Sequence, residues 1–164
     1  MRCGLVLLLP ALVFVGGAAV AASEERRNWF DDPFAQATKG LPRCPVPDGP
    51  EITEAEMRAD SHARAERGTR CWQEKKCDSP SAYKYDKPIN ENATTRIAGD
   101  PRFKDTSVWV RTLRGFVFLQ GCVSTKKQRE QLIGAVGALP RVDLVIDELQ
   151  IGTSGKPPYK LPPR

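Results

Sequence analysis

Histidine occurs once in the 164 residues, methionine twice and cysteine five times, and these scarcities remove most enzyme chemistry at the outset. The single His62 could activate Cys122 only as a reduced thiol. Structural zinc sites use close Cys-x-x-Cys pairs, which are lacking, and His62 with Glu66, one helical turn on, would supply just two ligands. There is no glycine-rich phosphate loop and no nucleophile elbow. The neighbouring carboxylates Asp31-Asp32 and Asp147-Glu148 project in different directions from an extended chain, which spoils paired acid-base work. The expectation is a non-enzymatic protein with no catalytic residue, no cofactor and no metal.

Long apolar runs are equally scarce. The one that exists, Leu5 to Val20, follows Met1-Arg2, is interrupted by Pro10 and Gly16-Gly17, and ends in small residues. It reads as a signal peptide over residues 1–22, cleaved after Ala21 or Ala22. The alternative is an uncleaved anchor, since the uncharged stretch from Cys3 to Ser23 approaches the roughly 20 residues a span needs. Cys3 lies too early for a lipoprotein signal, so a periplasmic or otherwise exported product is expected. Processing leaves Cys44, Cys71, Cys77 and Cys122, an even number that suits two disulfides in an oxidising compartment. Of the three pairings, Cys71 with Cys77 and Cys44 with Cys122 are favoured, because the first closes a short local loop.

What the chain does have is concentrated between Val108 and Ile151. Val108 and Val110 share one strand face, and Val117, Leu119 and Val123 share another, since strand side chains alternate. Thr125 with Gln128 forms a capping box, and Leu132, Ile133, Val136 and Leu139 make the stripe a helix must bury. After Leu139-Pro140, a third alternating run carries Val145, Leu149 and Ile151. Ile89, Ala93 and Ile97 are spaced as a preceding helix.

This order resembles the BON domain, a small αββαβ module of bacterial envelope proteins. The carriers are the Asp100-Pro101 turn, the run Gly115-Phe116-Val117-Phe118-Leu119-Gln120-Gly121-Cys122-Val123, and Leu139-Pro140-Arg141-Val142 leading into Val145 and Leu149. The resemblance covers residues 89–152 in a single copy, and Arg141 stands where the family usually carries glycine. It implies an α+β fold, a three-stranded sheet with two helices on one face, and association with phospholipid or envelope surfaces.

On the opposite sheet face, Cys122 joins Phe118, Phe116 and Trp109 in an apolar surface too large to stay wet. Residues 23–88 are expected to lie across it, tethered through Cys44. This extension is proline-rich, with one helix over residues 54–67. Thr53 and Glu56 box its start, Gly68 offers its exit, and a narrow face of Ala55, Met57, Ala59 and Ala63 is set to pack on the module. Residues 153–164, rich in proline and base, read as a solvated tail.

Arg114-Gly115-Phe116-Val117-Phe118-Leu119 mimics an RNA-recognition signature, but Val117 fills a position wanting a small residue and Gly121 one wanting an aromatic. With a net charge of only +5 and an export signal, no nucleic acid is expected. Lys126, Lys127 and Arg129 instead crowd the first turn of the second module helix, where the macrodipole is already positive and backbone N–H groups point outward. A phosphate headgroup is expected over Ser124 to Arg129, with Arg96, Arg102 and Lys104 as further contacts. The expected partner is thus an anionic phospholipid surface. The alternative is an envelope protein, with the chain acting as an interaction accessory of an envelope or secretion machine.

Overall fold

The computed structural model describes residues 24–66, 70–76 and 78–163, with Arg70 and Cys71 described in backbone only. The expected signal segment 1–22, the helix exit at Gly68 and the expected Cys71 to Cys77 pairing lie outside the described residues. In chain order the elements are β1 (Arg26–Arg27), β2 (Phe34–Gln36), β3 (Ile52–Thr53), α1 (Glu54–Glu66), α2 (Arg70–Gln73), α3 (Asp86–Ala98), a 3-10 turn (Pro101–Phe103), β4 (Ser107–Leu113), β5 (Phe116–Val123), α4 (Lys126–Gly137) and β6 (Leu144–Ile151).

The hairpin of β4 and β5 turns at Arg114-Gly115, both at positive φ, 57° and 78°. That two-residue geometry matches the right-handed twist of the flanking strands. The buried Asp86 carboxylate holds the turn by accepting the N–H of Arg114 at 2.6 Å and of Gly115 at 2.8 Å. Burial pushes the Asp86 carboxyl above its usual range despite these two bonds. Further along, a Cβ on Gly121 would stand 2.1 Å from the Ser107 carbonyl oxygen, so β4 can approach β5 there only past a glycine.

From β5 the chain crosses over through α4 and returns as β6, parallel to β5. The side chains of α3 and α4 meet one sheet face in a single cluster, which joins Ile89, Ala93, Ile97, Leu132 and Val136 to Val108, Val110, Val117, Leu119, Val123 and Leu149. Each such fully buried aliphatic contributes roughly 1.5 to 3 kcal/mol, so this cluster dominates the stability of the module. The helix expected around Ile89 begins earlier, at Asp86, because a proline in the first helical turn, here Pro88, forfeits no intrahelical bond.

The sheet has four strands, not the three expected. Its order is β2-β4-β5-β6, with β2 antiparallel to β4 and Ala35 opposite Val110. Three residues after Pro33 carry too little alternation to read as a strand. They become one because β4 offers an open edge, and Thr112 N–H also donates to the Pro33 carbonyl at 3.2 Å. Asn90 from α3 seals this junction, donating to the carbonyls of Val110 at 2.9 Å and Pro33 at 3.3 Å.

The reverse face is covered by the extension, as its apolar pattern requires. Cys44 is disulfide-bonded to Cys122, and both pack with Trp109, Phe34 and Leu41. Helix α1 is capped by Thr53 and Glu56 in a reciprocal box, yet none of its residues is buried. Its alanines build no interface with the core. Arg64 attaches it instead, donating to both Asp32 oxygens at 2.7 and 2.5 Å and to Asp60 at 2.6 Å, with its guanidinium 3.8 Å over the Phe30 ring. Burial works against the charge on Arg64, but the two carboxylates outweigh it and raise its pKa further.

The expected solvated tail is also folded back. Tyr159 is 6% exposed, its hydroxyl donates to the Pro45 carbonyl at 2.7 Å, and Asp48 N–H donates to the Lys160 carbonyl at 2.8 Å. Lys160 joins Arg26 on the buried Asp48 carboxylate, at 3.4 and 3.0 Å. A proline-rich segment without a core of its own orders here by borrowing the side of another one.

Candidate anion-binding edge

The residues expected to hold a phosphate gather where α4 begins beside the 3-10 turn. Thr125 is the N-cap, and its hydroxyl accepts Gln128 N–H at 3.1 Å, while Gln128 Oε1 accepts Ser124 N–H at 2.9 Å. The same Gln128 side chain donates to the Arg102 carbonyl at 3.0 Å, and the Ser124 hydroxyl donates to the Asp105 carbonyl at 2.9 Å. Ser124, Arg102 and Lys104 are therefore brought onto one edge with Lys126 and Lys127.

Two parts of the expectation fail on this geometry. The capping box and helix take the amides of Ser124, Gln128 and Arg129 for themselves, so of the expected backbone donors only those of Lys126 and Lys127 are left at the helix start. Three of the expected cations also have acids of their own. Arg129 donates to Asp147 at 2.6 Å, Arg102 grips Asp100 with contacts down to 2.5 Å, and Lys126 lies 3.8 Å from Glu130. The Arg102 guanidinium and backbone N–H hold the Asp100 carboxyl at about 2, which keeps that ion pair intact across ordinary pH. Sequence reasoning counted the bases and missed these partners, of which only Lys126 with Glu130 shows in the helical spacing.

Lys127, Lys104 and Arg96 have no ion pair among the described residues, and all three are exposed. Arg96 stands in the last turn of α3, where a cation complements the helix dipole, and its field reaches Asp100. The edge as built offers an anion its exposed side chains and, at the start of α4, the N–H groups of Lys126 and Lys127, which have no acceptor among the described residues.

The pairing of His62 with a Cys122 thiol is not assembled. Cys122 is oxidised and fully buried, and His62 is 85% exposed on α1, where it contacts Glu66 at 3.2 Å. Sheet, crossover helix and clamped reverse face define a small α+β module. Residues 85–153 match the family model of the BON domain, in a single copy. BON domains form a phospholipid- and membrane-binding family that is in general non-catalytic. No curated protein and no solved structure matches the chain.

Arg141 bears on that match. It adopts φ of 64°, in the left-handed region that glycine favours, and its guanidinium stacks 4.1 Å over the Tyr85 ring. The backbone demand of the family's glycine is retained, and the stacking offsets part of a strain of roughly 1 kcal/mol.

Proposed function

We propose that the protein is exported and attaches to anionic phospholipid surfaces through its BON domain, by the edge that carries Lys127, Lys104 and Arg96 together with Lys126 and Arg102. The reading is supported by three exposed cations without an ion pair among the described residues, Lys127, Lys104 and Arg96, carried by or next to elements that contact one another, in a segment that matches a family that binds phospholipid. Near an anionic surface each such cation contributes about 1 kcal/mol. The Cys44 to Cys122 bridge supports an oxidising compartment, in keeping with the signal peptide expected from the sequence. The packing of Tyr159 and Lys160 against the extension weighs against the tail as a free handle for an envelope protein.

Flotation of the full chain with vesicles tests the reading. Binding to phosphatidylglycerol vesicles should weaken with salt and fall at least about tenfold in Lys104→Glu/Lys127→Glu. Equal binding by that variant, or equal binding to phosphatidylcholine vesicles, refutes it.

A further inference from the structure

The reverse face of the sheet, the extension and the carboxy-terminal segment line a half-open cavity of about 340 Å³, a volume suited to a small molecule. Most of its charged walls are already satisfied. Arg26 and Lys160 hold Asp48, and Arg64 holds Asp32 and Asp60. Two groups on its floor are not. Arg111 of β4 makes no hydrogen bond or ion pair among the described residues, and its guanidinium lies 4.6 Å over the Phe118 ring. Gln120 of β5, 6% exposed, gives its amide N–H to Glu148 at 2.6 Å, which leaves Oε1 without a donor. Glu148 fixes that orientation, because turning the amide over would set two acceptors face to face.

Arg111 pairs with Phe118 across the ladder and Trp109 with Gln120, so Arg111 and Gln120 are diagonal neighbours on the same face. Such neighbours have Cβ atoms about 7 Å apart. The floor therefore sets a fork of donors wanting an acceptor beside an acceptor wanting a donor. At the rim, Glu51 lines the same cavity and makes no hydrogen bond or salt bridge among the described residues, with Arg26 feeling its charge at longer range.

We propose that this cavity binds a small zwitterion of amino-acid type, its carboxylate on Arg111 and its ammonium directed to Gln120 Oε1 and Glu51. The lining carries five carboxylates against four cations, which suits one negative charge with one positive charge and opposes a dianionic phosphate. Leu113, Ile52 and Pro50 leave an apolar wall for a short side chain. Extension and carboxy-terminal segment supply Glu51 and Lys160, so the site needs the whole chain and not the BON domain alone.

Isothermal titration of the full chain with glycine, L-alanine and alanyl-alanine tests this, with acetate, methylammonium and phosphoethanolamine as separate arms. A zwitterion carrying a carboxylate should saturate, and the single-charge probes and phosphoethanolamine should bind more weakly. Arg111→Gln should weaken binding about tenfold, Glu51→Gln about threefold, and Lys127→Glu not at all. No saturation at millimolar amino acid or dipeptide, or acetate binding as tightly as glycine, overturns the proposal. So does unchanged affinity in Glu51→Gln, a substitution on an exposed side chain that keeps the test valid should Arg111→Gln fail to fold.

Discussion

Replacing Cys44 and Cys122 together by alanine should cost about 5 kcal/mol of stability. The bridge spans a sequence separation of 78 residues. Closing a loop of that length restricts the unfolded chain by roughly 4 kcal/mol in the loop-entropy account. Removing two sulfurs from the cluster with Trp109, Phe34 and Leu41 adds a packing loss of roughly 1 kcal/mol, because Cys122 is fully buried and Cys44 is 9% exposed. A domain stable by about 10 kcal/mol would keep its fold and lose half its margin. Urea unfolding of the full chain, followed by far-ultraviolet circular dichroism and tryptophan emission, reads both parts. The entropic part acts on the unfolded state, so the variant should also show a steeper denaturant dependence as its unfolded chain expands. Tryptophan emission and circular dichroism should move together, because Trp109 and the helices α3 and α4 pack on opposite faces of one sheet. A loss below about 1 kcal/mol with an unchanged slope would refute the argument that the extension is tied to the sheet chiefly by this link.

Arg64→Met should destabilise the chain by about 2 kcal/mol and raise amide exchange along α1, because Asp32, 13% exposed, loses the cation that pairs with it among the described residues. Protection of α1 equal to that of the native chain would show that its alanine face holds it after all. By carboxyl-detected magnetic resonance, Asp100 should titrate at about 2 and return toward 3.8 in Arg102→Ala. A depressed acid contributes stability above its ordinary value and loses it as pH falls through the folded value, so this pair contributes in full at neutral pH and its contribution is lost between about 4 and 2. Tyr159→Phe removes the bond to the Pro45 carbonyl and should cost about 1 kcal/mol in urea unfolding, whereas a solvated tail would leave the midpoint unchanged.

The amino-acid sequence by itself determined the module. Alternation in Val108 to Val123, the Thr125 and Gln128 box, the stripe of Leu132 and Val136 and the third run to Ile151 are periodic and local, so each element declares its own type and buried face. Even the partner of Cys122 was within reach, because an apolar reverse face demands a cover and Cys44 lies in the segment long enough to provide it. Tertiary structure alone decided what depends on meetings between distant residues. Phe34–Gln36 is a strand only beside β4, Tyr159 is ordered only against Pro45, and Arg64 anchors α1 only where Asp32 arrives from 32 positions away. The candidate binding edge divides the same way. The excess of bases near Ser124 is written in the chain, but which cations remain available is set by Asp100 and Asp147, whose approach depends on how the helices and strands dock. Periodicity encodes which side of an element avoids water, whereas an ion pair between remote elements leaves no periodic trace.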